Sequence, residues 1–237
     1  MKYNKAASFL HSKSSLSFLL ATVVFAASSV RAQDITWTID GALEQISYQA
    51  KNFKTAMGKV DARWTDVDGK ETRKSVGITY INAEGEIRFQ LEGDDGSTVL
   101  LNSRYLYVYE PARALVEEYQ LSKHPERLAP FVRLGFSTTG EDLQRDYLVT
   151  LLGDDTIGDR RVVALELTPK NDQVRQTVGK VQLWIDQASW LPVRQVIDHT
   201  SNGETLTVNY VNTSRNLKLS TNLFDAKWPK GTQKIKK

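Results

Sequence analysis

Few residues in this chain have the type and spacing for covalent chemistry. It holds three histidines and no cysteine. Without cysteine there is no thiol nucleophile, no disulfide and no Cys-based zinc site. An active centre needs converging nucleophiles, acids and bases. No Gly-x-Ser-x-Gly elbow is present, and the histidines lack metal-ligand spacing. His124 precedes Pro125 in a loop, and His199 follows Asp198 at a strand end. Both read as surface residues. Asp94-Asp95-Gly96 and Gly153-Asp154-Asp155 could be calcium loops or paired acids. They lack the EF-hand spacing and read as turns. No catalytic residue, cofactor or metal ligand is assigned on these grounds.

The aromatic residues are the other candidates. Tyr105, Tyr107 and Tyr109 alternate with Leu106 and Val108. The tyrosines therefore share one strand face, where they could stack on sugars or pack across strands. Packing is the commoner use. Trp184 and Trp190 fall in the stretch 180–196, which alternates, breaks and alternates again. That pattern is a hairpin, with Val181, Leu183 and Ile185 on one face and Trp184 on the other. Lys227, Lys230, Lys234, Lys236 and Lys237 form a basic end, read as solvated.

These residues must be positioned by strands. Leu43, Ile46, Ala50, Phe53 and Met57 recur at three- and four-residue spacing, which predicts one amphipathic helix. Period-two alternation then predicts strands over 59–64, 76–81, 87–91, 99–101, 105–109, 115–121, 147–152, 160–167, 181–186, 191–198 and 204–211. Asp68-Gly69 and Asn202-Gly203 supply hairpin turns. Leu128, Phe131, Val132 and Leu134 fit a short helix ending at Gly135, and 138–143 reads as the capped start of another. The end, from Asn222 on, reads as irregular. About eleven antiparallel strands with two or three helices imply a strongly curved sheet wrapped around those helices.

The first residues stand apart. Lys2, Lys5 and Lys13 precede an almost wholly apolar run, 16–30, and Val30-Arg31-Ala32 offers a signal-peptidase site. Residues 1–32 read as a secretory signal cleaved after about Ala32, and the run is short for an uncleaved anchor. The segment carries four of the thirty-one basic residues and no acid, so residues 33–237 hold 27 basic against 28 acidic residues. Nucleic acid has no electrostatic attraction to such a chain. With no repeat and no Pro- or Gly-rich linker, 33–237 reads as a single domain and a monomer.

Several motifs in order resemble the outer-membrane lipoprotein carrier (LolA-like) family over about residues 40–235. Leu106-Tyr107-Val108-Tyr109-Glu110-Pro111 resembles its "LWVYDP", and Leu165-Glu166-Leu167-Thr168-Pro169-Lys170 its "LTPK". The segment 134–143, the stretch 180–196 and the Leu223-Phe224…Pro229-Lys230-Gly231 ending have counterparts too. The resemblance implies a mainly β fold: an unclosed, strongly curved antiparallel barrel of about eleven strands, with helices covering its concave face. It implies a non-enzymatic periplasmic carrier without cofactor, which holds acyl chains of lipoproteins or a related lipid in a hydrophobic cavity. Such a carrier takes cargo from an inner-membrane transporter and passes it to an outer-membrane acceptor. Candidate cavity residues are Leu43, Ile46, Phe53, Met57, Phe89, Leu106, Val108, Leu128, Phe131 and Leu134. The same fold also serves envelope sensors of lipids or lipoproteins, which carry a second domain. One departure is local. Where the best-known carriers have Lys-Arg-Pro, whose Arg latches the helical lid, this chain has Ile81-Asn82-Ala83-Glu84-Gly85-Glu86, and Arg88 is the nearest arginine.

Overall fold

The computed structural model describes residues 36–93, 96–123, 131–200 and 202–237. Thr38 opens the first helix: its hydroxyl accepts the Gly41 N–H at 3.1 Å, and α1 (Ile39–Lys51) follows. The helix stops at Asn52, short of its extrapolated apolar spacing. Phe53 therefore folds back into the core after the helix, and Met57 lies on a strand. Thr139 begins α2 (Gly140–Asp146) with a capping box, in which its hydroxyl accepts the Asp142 N–H and the Asp142 carboxylate accepts the Thr139 N–H. That cap satisfies two N–H groups that have no partner within the helix. A third, one-turn helix is α3 (Asp172–Arg175).

Twelve strands form one sheet: β1 (Thr55–Thr65), β2 (Glu71–Asn82), β3 (Ile87–Glu92), β4 (Thr98–Leu101), β5 (Tyr105–Glu110), β6 (Leu115–Gln120), β7 (Tyr147–Ile157), β8 (Arg160–Pro169), β9 (Val178–Asp186), β10 (Pro192–His199), β11 (Thr205–Arg215) and β12 (Gln233–Lys236). Their order is β12-β6-β5-β4-β3-β2-β1-β11-β10-β9-β8-β7. The two ends do not pair, so the curved sheet stays unclosed. All eleven expected strands are present, and β12 is the addition. It runs parallel to β6, and its Gln-Lys-Ile-Lys sequence lacks the apolar alternation that marks a strand. Gly153-Asp154-Asp155 is not a turn either. It continues β7 past a register shift, and Asp154 and Asp155 accept side-chain N–H bonds from Gln187 and Trp184.

The two faces of the sheet are closed differently. On the convex side the chain after β11 crosses the strands. Trp228 stacks on Tyr109, with ring centroids 5.1 Å apart, and meets Tyr107 at 5.9 Å. Arg88 donates to the Leu223 carbonyl at 3.2 Å from this same side. Lys234 pairs with Glu118, and Lys237 with Glu117 at 3.1 Å. The tyrosine row is thus covered by aromatic packing, and part of the basic end is ion-paired.

On the concave side, α1, α2 and the segment 131–136 lie over one half of the sheet. Phe136 meets Tyr210 of β11 edge-on at 5.1 Å and Phe53 at 6.4 Å. Gly135, at φ +83, brings the backbone so close that a Cβ there would sit 2.8 Å from Pro192. Gly140 does the same for the two helices, since its Cβ would fall 2.4 Å from the Leu43 carbonyl oxygen. Ser47 of α1 accepts the Gly140 N–H at 2.8 Å and donates to Glu141 at 2.7 Å. Gln195, fully buried on β10, fastens the segment: its amide donates to the Leu134 carbonyl at 2.8 Å and accepts the Tyr210 hydroxyl at 2.8 Å.

Replacing Gln195 by Leu leaves that carbonyl and that hydroxyl buried without partners, at about 1–3 kcal/mol each. Urea unfolding of Gln195→Leu is therefore expected to lose about 2–6 kcal/mol. Stability equal to wild type would mean that the polar pair does not fasten this segment.

Candidate functional site

Among the described residues, helices cover only part of the concave face, and the remainder encloses space. A cavity of about 990 Å³ lies over β1–β6 and β11. Strand alternation builds its wall. On β1, Val60, Ala62 and Trp64 point inward while Lys59, Asp61 and Arg63 point outward. The register sets Phe89, Val99 and Val108 side by side across β3, β4 and β5, with Ile87, Leu101 and Leu106 in the adjacent row. Leu206 and Val208 of β11 complete the apolar wall.

Polar lining gathers toward the other end of these strands. Arg73 lies opposite Trp64, with its guanidinium carbon 3.7 Å from the indole centroid. Glu110 and Arg113 pair at 2.9 Å. The Tyr119 hydroxyl donates to Glu117. His199 and Thr177 line the same end. His199 was expected at the surface. Instead it is half-buried in the cavity wall, and its Nε2 is buried with no hydrogen-bond partner. Alternation explains this: Val193, Gln195 and Ile197 face inward on β10, and His199 is the next inward residue.

Of the residues expected to form a cavity, Phe89, Leu106 and Val108 line it. Leu43, Ile46, Phe53, Phe131 and Leu134 are buried in the packed half, so a charge at Phe131 or Leu134 would disrupt the core rather than empty a pocket. Met57 is half-buried on the outward face of β1, which it shares with its partner Tyr80. Leu128 lies outside the described residues, as does His124. The hairpin tryptophans are elsewhere. Trp190 packs edge-on against Trp37 at 4.8 Å, and Trp184 faces outward, bonded to Asp155 at 3.2 Å. Trp64, not singled out by the sequence, is the tryptophan in the wall. Its signal was the Lys59-to-Trp64 alternation, which places Val60, Ala62 and Trp64 on one face.

The β2–β3 turn carries no arginine, and Arg88 points to the convex side. Arg133, from the helical segment, instead lies against that turn: a Cβ on Gly85 would sit 2.7 Å from its guanidinium nitrogen. Among the described residues, no three or more His, Asp or Glu side chains cluster as a metal site.

A protein-family model described as "Uncharacterized protein" matches residues 87–223, more than half of the sequence. The chain belongs to that family. No curated protein matches the sequence. Among solved structures, the chain is similar to an uncharacterized conserved protein of Thermus thermophilus. That pair is 12% identical, covers 84% of this chain and 97% of the other, and has a TM-score of 0.53. Its neighbours include a LolA superfamily protein of Nitrosomonas europaea, 19% identical over 80% of this chain and 98% of that one, with a TM-score of 0.42. They also include the lipoprotein LppX of Mycobacterium tuberculosis, 14% identical over 76% and 97%, with a TM-score of 0.44. At these identities the likeness is one of fold.

Burial pushes the His199 pKa below its ordinary 6.5, against the opposing pull of Glu204 and Asp198. A lowered folded value means that the native state resists the proton that the unfolded chain accepts. The stability contributed by the neutral imidazole is whole above about pH 6.5 and is lost as the pH falls from there toward the lowered folded value. In His199→Gln the decline of Tm between about pH 7 and about pH 5 is expected to be shallower than in wild type. Parallel Tm–pH curves would show that His199 does not titrate in this setting.

Proposed function

We propose that residues 33–237, freed of the signal segment, act in the periplasm as a carrier for the acyl chains of lipoproteins or a related lipid. The single observation behind this reading is the unfilled apolar cavity on the concave face of β1–β6. A globular interior is normally close-packed, and voids larger than a water molecule are few. A cavity of about 990 Å³ walled by Val, Leu, Phe and Trp is outside that norm and matches the size of small-molecule sites. Taking a methylene as roughly the 30 Å³ that a water molecule occupies in the liquid, the space admits on the order of thirty methylenes. That is about two chains of sixteen carbons, so a third chain needs the cavity to widen.

The energetics favour such a shield. Each buried methylene contributes about 0.8 kcal/mol, and two bare sixteen-carbon chains in water therefore cost tens of kcal/mol. A carrier must also release what it holds. The open end and the half-buried state of Val99 and Val108 suit a site that covers chains without sealing them. The motifs shared with lipoprotein carriers and the apolar 16–30 run support the same assignment. Transfer runs from an inner-membrane donor to an outer-membrane acceptor.

Val99→Glu places a carboxylate on the cavity wall at a position open enough to keep its solvent. The variant is expected to fold, with circular dichroism unchanged, and to bind a fluorescent sixteen-carbon fatty acid at least about tenfold more weakly. Mass spectrometry of lipid extracted from the purified protein should recover acyl lipid from wild type and little from the variant. Equal binding by a folded variant would sink the cavity as the cargo site.

A further inference from the structure

We infer that the polar end of the cavity holds the anionic head of the ligand, a phosphate or carboxylate, on Arg73, with His199 as a hydrogen-bonding partner to the same ligand. The inference rests on the carrier reading above and names the class of lipid that such a carrier would take.

The charges at this end are mostly matched within the protein. Arg113 bonds to Glu110 at 2.9 Å, and Glu117 is joined to Lys237 at 3.1 Å. Carboxylates on the strands next to Arg73 are engaged as well. Asp61 takes Arg63 at 2.8 Å and Lys74 at 3.6 Å, and Glu71 takes Arg63 at 3.5 Å. Alternation along β2 turns Lys74 outward to Asp61 and Arg73 inward to the cavity. Among the described residues, Arg73 forms no ion pair; its guanidinium rests on the Trp64 ring at 3.7 Å.

Stacking on an indole leaves the in-plane N–H groups of a guanidinium directed outward and the fork held in one plane. That is the preorganised state for two parallel bonds to a phosphate or carboxylate. An apolar wall ending in such a cation complements an amphiphile of the opposite sign. Chains then lie along Phe89, Val99 and Val108, and the head stays at the wet end.

His199 supplies an independent observation. His199 lines the same cavity, and its Nε2 is buried beside it with no partner among the described residues. An unmet buried nitrogen is costly, so native ones call for an explanation. A ligand oxygen that meets it removes the cost. Arg73 and His199 stand at the same end of the sheet. Arg73 pairs with Trp64, Trp64 with Leu206, and the His199 N–H donates to Glu204 two residues before Leu206. Sheet curvature turns these inward side chains toward a common space.

The test uses two water-dispersible lipids with the same pair of eight-carbon chains, a phosphatidylglycerol and a phosphatidylcholine, with inorganic phosphate as a third ligand. Isothermal titration of the mature protein is expected to give about tenfold tighter binding of the phosphatidylglycerol. In Arg73→Gln the ratio of the two affinities should fall to about one. His199→Phe should weaken both lipids several-fold and leave their ratio in place. Equal affinities in wild type would overturn the anionic-head inference and leave the carrier reading intact. Failure to bind either lipid would overturn the carrier reading itself. Phosphate bound as tightly as the phosphatidylglycerol would reassign the site to a free anion. A ratio that survives Arg73→Gln in a variant with wild-type Tm would remove Arg73 from the site.

Discussion

The structure depends on a mismatch between one long apolar concave face and helices that, among the described residues, cover only part of it. The sheet must be apolar on its inner side along its whole width, because both halves curve around the same interior. Over β7–β10 and the start of β1 that side is met by α1, α2 and the segment 131–136, and the result is dense core. Over β3–β6, the later part of β1 and the start of β11, inward residues of the same core also line the cavity. The wall residues are largely withdrawn from water, yet toward the cavity they lack the neighbours that a filled core would supply. An apolar ligand in that space would supply those contacts.

An unfilled cavity also needs a wall that does not collapse into it. The convex cover supplies that. Trp228, Tyr107 and Tyr109 pack on the outer side of β5, Phe224 joins Leu100 and Val116, and Arg88 bonds the Leu223 carbonyl. β12 adds main-chain bonds along the edge of β6, and Lys234 with Glu118 adds an ion pair there. The half of the sheet that lines the cavity is thus braced outside. The tyrosine row and the basic end are parts of one brace, although they lie far apart in sequence.

Much of this was legible in the sequence, and the rest was hidden for identifiable reasons. Alternation found eleven strands because each has one buried face, and β12 escaped because its partner contacts are polar. The Thr139 cap of α2 was visible because capping chemistry is local. The first helix was drawn too long because Phe53 and Met57 happen to continue its spacing after the backbone has turned at Asn52. Cavity and core were not separable, since Leu106 and Leu134 are the same residue type on inward faces. Only the distant element opposite each one decides whether it meets a side chain or space. The same non-local factor misdirected attention among the tryptophans. Trp184 and Trp190 stand out in a seven-residue window but close a hairpin. Trp64 is inconspicuous in its strand, yet it faces the cavity.

The β2–β3 turn carries no arginine, and the direction of the nearby arginines fits this picture. Arg88 is committed to the outer brace, so it is unavailable to the inner side. Arg133 approaches the turn from the helical segment and meets Gly85, whose missing side chain makes room for it. A contact of this kind is packing over a turn rather than a hydrogen-bonded clasp. Packing without a directed bond is a shallow constraint. Sheet curvature and the outer brace help to keep the cavity in shape. In the carrier proposed above, affinity would sit in the ligand's own contacts, with the apolar wall facing the chains and the polar side chains of the far end facing the head.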